Sequence, residues 1–314
     1  MPTDGALPTD GALPDHTVDV RLPHRLPIDL PALFGFLAVR AVPGIEEWTG
    51  GAYRRTLTLP HGTAIVELSA GPPGAAHVHC RLFLSDPRDQ PAAVQRARRL
   101  LDLDADPQAV AAALGTDPLL GALVAASPGR RVPGHVDGAE LAVRAVLGQQ
   151  VTVAAARTLT ARLVTRYGSP LAEPSGGLTH LFPTPQVLAG ADFADLGMPA
   201  SRRRALAALA VALTDGTLLL DPGADRADLQ ARLLDLPGIG PWTAAYIRLR
   251  ALGDPDVFLP TDAGVRHALA RRGLPADPTA AAALADRWRP WRSYALLHLW
   301  GTLHSGTPHS GPRS

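Results

Sequence analysis

The sequence predicts a mainly α-helical protein with a small α+β domain on its N-terminal side. Strand-like patterns are confined to the region before Ser85, where short runs of alternating apolar residues are separated by Gly/Pro turns. After Pro87 the chain is rich in Ala, Leu and Arg at helical period, with Gly, Pro and Asp between the runs. That pattern is typical of consecutive helices joined by short loops.

The predicted α+β domain begins with a short helix over residues 29–39. Three strands follow, over residues 53–59, 64–69 and 76–84. In the third strand the alternate residues from Val78 to Leu84 are apolar, whereas His77 and His79 share the opposite face. We interpret that face as solvated, because no third metal ligand stands at a suitable spacing.

The helical region is divided by its turn residues. Helices are predicted over residues 92–101, 107–114, 119–126, 141–147, 151–167, 200–213 and 226–234. Asp137 and Glu140 form a D-x-x-E capping box ahead of the fourth of these. The Gly/Pro/Ser-rich stretch 168–185 is predicted to be a long loop that crosses between helical lobes.

The ends of the chain are predicted to be unstructured. The hexapeptide PTDGAL occurs at residues 2–7 and again at 8–13, and we expect a disordered tail over 1–15. Residues 302–314 are expected to fray. Between the tails we expect an N-terminal α+β domain over 16–88 and a helical domain over 89–301.

Composition excludes several kinds of chemistry. The chain has 314 residues and a formal net charge of +1. Its single cysteine, Cys80, excludes an intrachain disulfide and an iron–sulfur cluster held by four thiolates of this chain. All 30 basic residues are arginine, so no lysine imine can form. No apolar stretch reaches the ~20 residues of a membrane span, and we expect a cytoplasmic protein with no membrane partner.

The most specific motif is LLDLPGIGPWTAAYIRLR at residues 233–250. A helix is predicted to end near Asp235, and Pro241 stands in the first turn of a second helix, where proline is favoured. The glycines at 238 and 240 allow a tight turn and leave backbone amides uncovered. Together with the following helix N-terminus, these amides predict an anion-binding concavity. The whole string LPGIG-P-x-T-A resembles the helix–hairpin–helix element that grips a DNA phosphate without reading sequence.

A second motif, VFLPTDAGVRHAL, follows at residues 257–269. An apolar run meets a proline, and Thr261 and Asp262 then open a helix. Taken alone, Asp262 would be interpreted equally well as an ordinary helix N-cap. Its position, about 20 residues after the hairpin motif, resembles the place where helix–hairpin–helix glycosylases keep their essential aspartate.

Together these motifs resemble the DNA-3-methyladenine glycosylase II (AlkA-like) family of the helix–hairpin–helix DNA glycosylase superfamily. The resemblance covers residues 18–300 and also includes FLAVRAV at 36–42, VRAVLGQQV at 143–151, FPTPQ at 182–186, DLGMP at 195–199 and RWRPWRSYALLHLW at 287–300. It implies a small antiparallel-sheet domain followed by two helical lobes with the active cleft between them. The implied activity is excision of alkylated bases, of the 3-methyladenine and 7-methylguanine type, from duplex DNA in base excision repair.

The resemblance also implies roles for individual residues. Asp262 matches the catalytic carboxylate, and the base pocket is matched by Trp242, Tyr246 and Trp300. DNA-binding positions are matched by the backbone of Gly238, Gly240 and Thr243 and by the loop residues Gln149 and Gln150. A site for structural Na⁺ or K⁺ is matched by the carbonyls of Leu234, Leu236 and Ile239.

The chain departs from the family pattern at two of these places. Gln150 stands where the pattern has an apolar wedge, which leaves the wedge residue unassigned. Thr261 stands where a second aspartate can occur. No cofactor for catalysis, no iron–sulfur cluster and no lyase activity are expected, and the partner is expected to be duplex DNA bound by a monomer.

Other interpretations of these residues stay open at this stage. Trp291, Tyr294 and His298 form a helical stripe that we assign to packing. The arginines at 248, 250, 266, 271 and 272 fit solvated helix faces as well as a DNA-facing surface. Two other functions also fit the motifs: a non-catalytic helix–hairpin–helix DNA-binding protein, and a glycosylase specific for uracil, hypoxanthine or an oxidised purine.

Overall fold

The structure, a computed structural model, describes residues 16–303. The tail expected at 1–15 lies outside the described residues, as does the tail expected at 302–314 apart from Thr302 and Leu303. The described chain contains an antiparallel sheet followed by a helical region, as the sequence predicts. No helix within it is long and apolar enough to cross a membrane.

The N-terminal sheet has five antiparallel strands in the order β1-β5-β4-β3-β2. The strands are β1 His16–Pro23, β2 Glu46–Thr49, β3 Ala52–Thr58, β4 Thr63–Ala70 and β5 His77–Leu84. The three predicted strands are β3, β4 and β5. The sequence analysis missed the two edge strands, because their pairing partners are not apparent locally; Val20 of β1, for example, pairs with Cys80 of β5.

Two helices, α1 (Leu30–Arg40) and α2 (Gln90–Leu100), share one hydrophobic core with this sheet. Asp29 caps α1 by accepting a hydrogen bond from the amide of Ala32. Ala93, Ala97 and Leu100 of α2 are buried in the same core. The packing of the N-terminal unit thus extends beyond residue 88, and we propose that the division of the chain lies after α2.

Eleven further helices of the described chain make up two lobes. They are α3 Pro107–Leu114, α4 Gly121–Ala126, α5 Gly138–Leu147, α6 Val153–Tyr167, α7 Pro185–Ala189, α8 Ala200–Thr214, α9 Arg226–Asp235, α10 Pro241–Ala251, α11 Ala263–Ala270, α12 Pro278–Ala285 and α13 Arg292–Gly301. One lobe has a core from α5 to α10, and the other packs α3 and α4 against α11 to α13. Helix α10 lies between them, because Ile247 is buried in the first core and Leu249 in the second.

The predicted loop over 168–185 is wrong in part. It contains a two-stranded hairpin, β6 (Pro170–Ser175) and β7 (Leu178–His180). Leu178 is buried against Ile65 and Phe83 of the first sheet. Glycine and proline in short exposed strands hide the alternation that predicts a strand, and the stabilising contacts come from distant residues.

The predicted capping box is half formed. Asp137 caps α5 by accepting a hydrogen bond of 2.9 Å from the amide of Glu140. The Glu140 side chain is buried and bonds instead to the guanidinium groups of Arg55, at 2.6 Å, and Arg144, at 3.0 Å. The reciprocal bond of a capping box is replaced here by an ion pair with the N-terminal sheet.

Candidate active site

A cleft of about 1560 Å³ lies between the N-terminal domain and the two lobes. Its walls come from α1, the α5–α6 loop, the α9–α10 hairpin, the start of α11 and the end of α13. Asp262, Trp242, Tyr246 and Trp300 all line it. The structure therefore brings the carboxylate and the three aromatic residues selected from the sequence into one space.

Asp262 is both a helix cap and the centre of a hydrogen-bond network. Its Oδ1 accepts from the amide of Val265 at 3.0 Å, which caps α11, and from the indole Nε1 of Trp300 at 2.9 Å. Its Oδ2 accepts from the indole Nε1 of Trp242 at 3.1 Å. Three donors from three elements fix the orientation of this carboxylate at the cleft wall.

Gly264 permits this arrangement, and the sequence analysis did not single it out. A Cβ placed there would lie 3.0 Å from Asp262 Oδ1 and 3.3 Å from Cδ1 of Trp300. It would lie 2.9 Å from the side chain of Leu303. A side chain at position 264 would therefore push Trp300 away from the carboxylate.

The aromatic wall is a stacked pair on α10. The rings of Trp242 and Tyr246, four residues apart, lie 5.0 Å apart at an angle of 7°. The Tyr246 hydroxyl accepts a hydrogen bond of 2.8 Å from Arg250. Burial alone would raise the pKa of Tyr246, but the positive charges of Arg250 and Arg40 outweigh it and lower that pKa below its ordinary value.

Arg250 does not lie on a solvated helix face, so that interpretation is wrong for this residue. Its side chain is buried and donates to the carbonyls of Pro133 and Gly134 as well as to Tyr246. The carbonyl acceptors lie more than 100 residues away in the chain, which explains why the sequence pattern around α10 did not reveal them.

The hairpin between α9 and α10 has the predicted geometry. Gly238 has φ +79°, and a Cβ there would lie 2.8 Å from the Cβ of Ala205, so glycine is required. Gly240 has φ −94° and open space where a Cβ would be. Pro241 opens α10, and the Leu236 carbonyl accepts the Ile239 amide at 3.2 Å to close the turn.

The two glutamines of the α5–α6 loop have different surroundings. Gln149 donates through Nε2 to the Gly238 carbonyl at 2.9 Å and to the Thr243 hydroxyl at 3.1 Å. Gln150 is exposed with φ +55°. Gln149 therefore joins the loop to the hairpin, whereas Gln150 is an exposed residue that lines the cleft.

The residues assigned to packing are packed. Tyr294 and His298 are buried, and Trp291 makes an edge contact with Tyr294 at 5.6 Å. None of the three lines the cleft formed by residues 16–303.

A second polar cluster needs a separate explanation. Glu46, His135 and Glu140 are buried, with ligand atoms within 4.8 Å of one another, as a metal site requires. However, Arg55 and Arg144 donate to both carboxylates and balance their charge. We therefore interpret this cluster as an ion-pair network that joins the N-terminal sheet to α5.

Comparison with known protein families matches both parts of the chain. Residues 19–137 match the family described as AlkA N-terminal domain. Residues 143–293 match the HhH-GPD superfamily base excision DNA repair protein family. The second match contains the hairpin, the aromatic pair and Asp262.

Individual relatives agree with these matches. The chain is 41% identical over 280 residues to a DNA-3-methyladenine glycosylase 2 of Escherichia coli, covering 88% of this chain and 94% of that protein. It is 52% identical over 287 residues to a probable bifunctional transcriptional activator/DNA repair enzyme AlkA of Mycobacterium tuberculosis. That match covers 91% of this chain but only 57% of the length of the relative.

The fold is also found among solved structures. A 3-methyladenine DNA glycosylase from Archaeoglobus fulgidus superposes with a TM-score of 0.75 at 22% identity. The superposition covers 90% of this chain and 97% of that one. At this level of identity the likeness concerns the fold.

Proposed function

The chain belongs to the HhH-GPD superfamily of base excision DNA repair proteins, and from this premise we propose that it is a monofunctional DNA glycosylase for alkylated bases. One observation carries the proposal: a carboxylate in the cleft is held by the indoles of Trp242 and Trp300, beside a stacked aromatic wall. A protein that only binds DNA needs the hairpin but has no use for this arrangement.

Access to the base requires that its nucleotide leave the duplex. Flipping costs a few kcal/mol and is easiest at damaged, poorly paired bases. We assign the grip on the DNA backbone to the amides of Gly238, Gly240 and Thr243, where the hairpin meets the N-terminus of α10. Gln150, exposed on the loop that Gln149 fixes to the hairpin, is the residue we assign to the space that the flipped base vacates.

The chemistry follows from the charge of the substrate. A purine alkylated at N3 or N7 is cationic and leaves without protonation by a general acid. The site must then stabilise the positive charge that grows on the sugar and admit water. Asp262 provides the negative charge, and an outward face of the stacked Trp242–Tyr246 pair favours a cationic base by roughly 0.5–2 kcal/mol.

This reaction needs no catalytic cofactor. A metal ion would have only a structural role: the carbonyls of Leu234, Leu236 and Ile239 would hold Na⁺ or K⁺ in the hairpin. The Leu236 carbonyl accepts one hydrogen bond from Ile239, which leaves its second lone pair for a cation. The partner in this account is duplex DNA with alkylated bases, bound by a monomer.

A duplex with a single 7-methylguanine tests the proposal. After incubation with the protein, the strand should stay intact and then break at the lesion on heating in alkali, because an abasic site has formed. A duplex that resists alkali although the protein binds it would instead support the non-catalytic alternative. Parallel duplexes containing uracil or an oxidised purine test the alternative specificities.

A further inference from the structure

Arg40 ends α1 and extends into the cleft from the N-terminal domain. Its guanidinium carbon lies 3.7 Å from the centre of the Phe36 ring, and Nη1 donates to the Phe36 carbonyl at 3.3 Å. Among residues 16–303, the Arg40 guanidinium has no hydrogen-bond acceptor other than this carbonyl, and it has no carboxylate partner. Nε and Nη2 are therefore available to a molecule in the cleft.

The neighbouring arginines differ from Arg40 in this respect. Arg250 uses its guanidinium on two carbonyls and the Tyr246 hydroxyl. Arg144 bonds to Glu46 and Glu140. Burial, although opposed by Tyr246, lowers the pKa of Arg40 to about 10, which leaves it charged at neutral pH.

The backbone that carries Arg40 is held firmly. Arg144 Nη2 donates to the Arg40 carbonyl at 2.9 Å, and Arg157 Nε donates to the next carbonyl, of Ala41, also at 2.9 Å. Both arginines belong to the helical region, whereas Arg40 belongs to the N-terminal domain. The ion-pair network of Glu46 and Glu140 thus fixes the position of Arg40 relative to the lobe that carries the aromatic wall.

A continuous row of contacts leads from Asp262 to Arg40. Trp242 bonds to Asp262 and stacks on Tyr246, whose hydroxyl accepts from Arg250. The Arg250 guanidinium carbon lies 4.8 Å from the centre of the Phe36 ring, and the Arg40 guanidinium contacts the same ring. Asp262 and Arg40 therefore stand at the two ends of this row of contacts, and both line the cleft.

We propose that Arg40 is a specificity-determining residue that donates a hydrogen bond to an exocyclic oxygen on the flipped base. This inference rests on the proposed function. With the sugar beside Asp262, a purine along the aromatic wall turns its six-membered ring towards Arg40. A 6-oxo group accepts from a guanidinium, whereas a 6-amino group presents N–H to N–H.

The effect of Arg40 on the rate of base release is largest for an uncharged 6-oxopurine such as hypoxanthine. When the C1′–N9 bond breaks, its electron pair moves onto the base, and the negative charge spreads to N9 and O6. Water adds to C1′, and its proton neutralises the departing base. The Arg40 guanidinium stabilises that negative charge, as other preorganised donors do. A cationic 3-methyladenine is neutralised by the same bond cleavage and gains no such stabilisation.

The test compares substrates within one variant. Arg40→Met should lower the single-turnover rate on a hypoxanthine duplex by about 100-fold. From DNA treated with dimethyl sulfate, it should release less 7-methylguanine relative to 3-methyladenine than the wild type does. Arg40→Lys keeps the charge with a different donor geometry, so its rate on hypoxanthine and its selectivity should lie between those of the wild type and of Arg40→Met. Arg166→Met, which removes an exposed arginine of α6, is the matched control and should behave as the wild type.

The outcomes separate the inference from the function on which it rests. An equal loss on all three bases in folded Arg40→Met, or unchanged selectivity in both Arg40 variants, would overturn the role of Arg40. A wild-type protein that releases neither 3-methyladenine nor 7-methylguanine would overturn the proposed function instead. Thermal melting of each variant identifies a loss that is due to unfolding, and Arg40→Lys then decides the question.

Discussion

Replacing Asp262 with asparagine removes one charge and rearranges one hydrogen bond. Asparagine caps helices as well as aspartate, so its Oδ1 can still accept from Val265 and Trp300. The new amide nitrogen, however, faces the indole N–H of Trp242, where a carboxylate oxygen accepted before. We expect this donor–donor contact to cost about 1–3 kcal/mol of stability.

The catalytic effect should be larger. A carboxylate about 4 Å from a sugar with full positive charge contributes about 4 kcal/mol at an effective dielectric constant of about 20. Each 1.36 kcal/mol changes a rate about tenfold, so losing the charge should slow base release by about a thousandfold. Affinity for DNA should change little, because the grip on the backbone lies in the hairpin.

The assay is single-turnover base release from a 7-methylguanine duplex, read as alkali-sensitive sites, with DNA affinity measured in parallel. Asp277→Asn is the matched control, since Asp277 caps α12 through the amide of Ala280 and is exposed outside the cleft. It makes the same chemical change at an N-cap without touching the aromatic wall. If a folded Asp262→Asn protein releases base at near the wild-type rate, the charge of Asp262 does not drive base release.

Three further predictions concern other parts of the molecule. Gly240→Val places a side chain in open space at an extended backbone position, so the variant should fold normally. It should bind every duplex more weakly, and the slope of log affinity against log salt concentration should fall by about 1. Unchanged affinity would contradict the assignment of phosphate binding to the hairpin. Because the chain contains no lysine, borohydride should trap no covalent complex with DNA during turnover, and efficient trapping with strand cleavage would contradict a monofunctional mechanism. Burial raises the pKa of Asp102 to about 6 despite hydrogen bonds from Val132 and Tyr294. Between about pH 4 and 6 the folded protein therefore keeps a proton on this carboxyl group that the unfolded chain has released. The free energy of unfolding should fall as the pH rises through that range. Asp102→Asn, compatible with φ +51°, should add up to about 3 kcal/mol to the free energy of unfolding at pH 7, and denaturant titrations that show no gain would contradict the assignment.

Local patterns predicted the elements whose signals are local. The end of α9 at Asp235, Pro241 at the start of α10 and Asp262 as the cap of α11 all follow from turn and capping chemistry within a few residues. These elements position the cleft. The sequence therefore predicted the place of the candidate site better than the edges of the sheet.

What the sequence did not reveal depends on contacts between distant segments. Glu140 carries a capping signature, yet its side chain pairs with Arg55, 85 residues away. Arg250 looks like a solvated helix residue, yet its acceptors belong to Pro133 and Gly134. Arg40 likewise becomes a candidate only once α1 faces the lobe that carries Tyr246.

In the proposed function, Asp262 and the aromatic wall release alkylated bases from DNA. Chromatography of the free bases from dimethyl sulfate-treated genomic DNA tests it most directly, with wild type and Asp262→Asn compared at equal DNA occupancy. We predict that the wild type releases 3-methyladenine and 7-methylguanine and that Asp262→Asn releases almost none over the same time. Tight binding of the DNA by the wild type, with no free base in solution, would show that the protein is not a glycosylase for these bases.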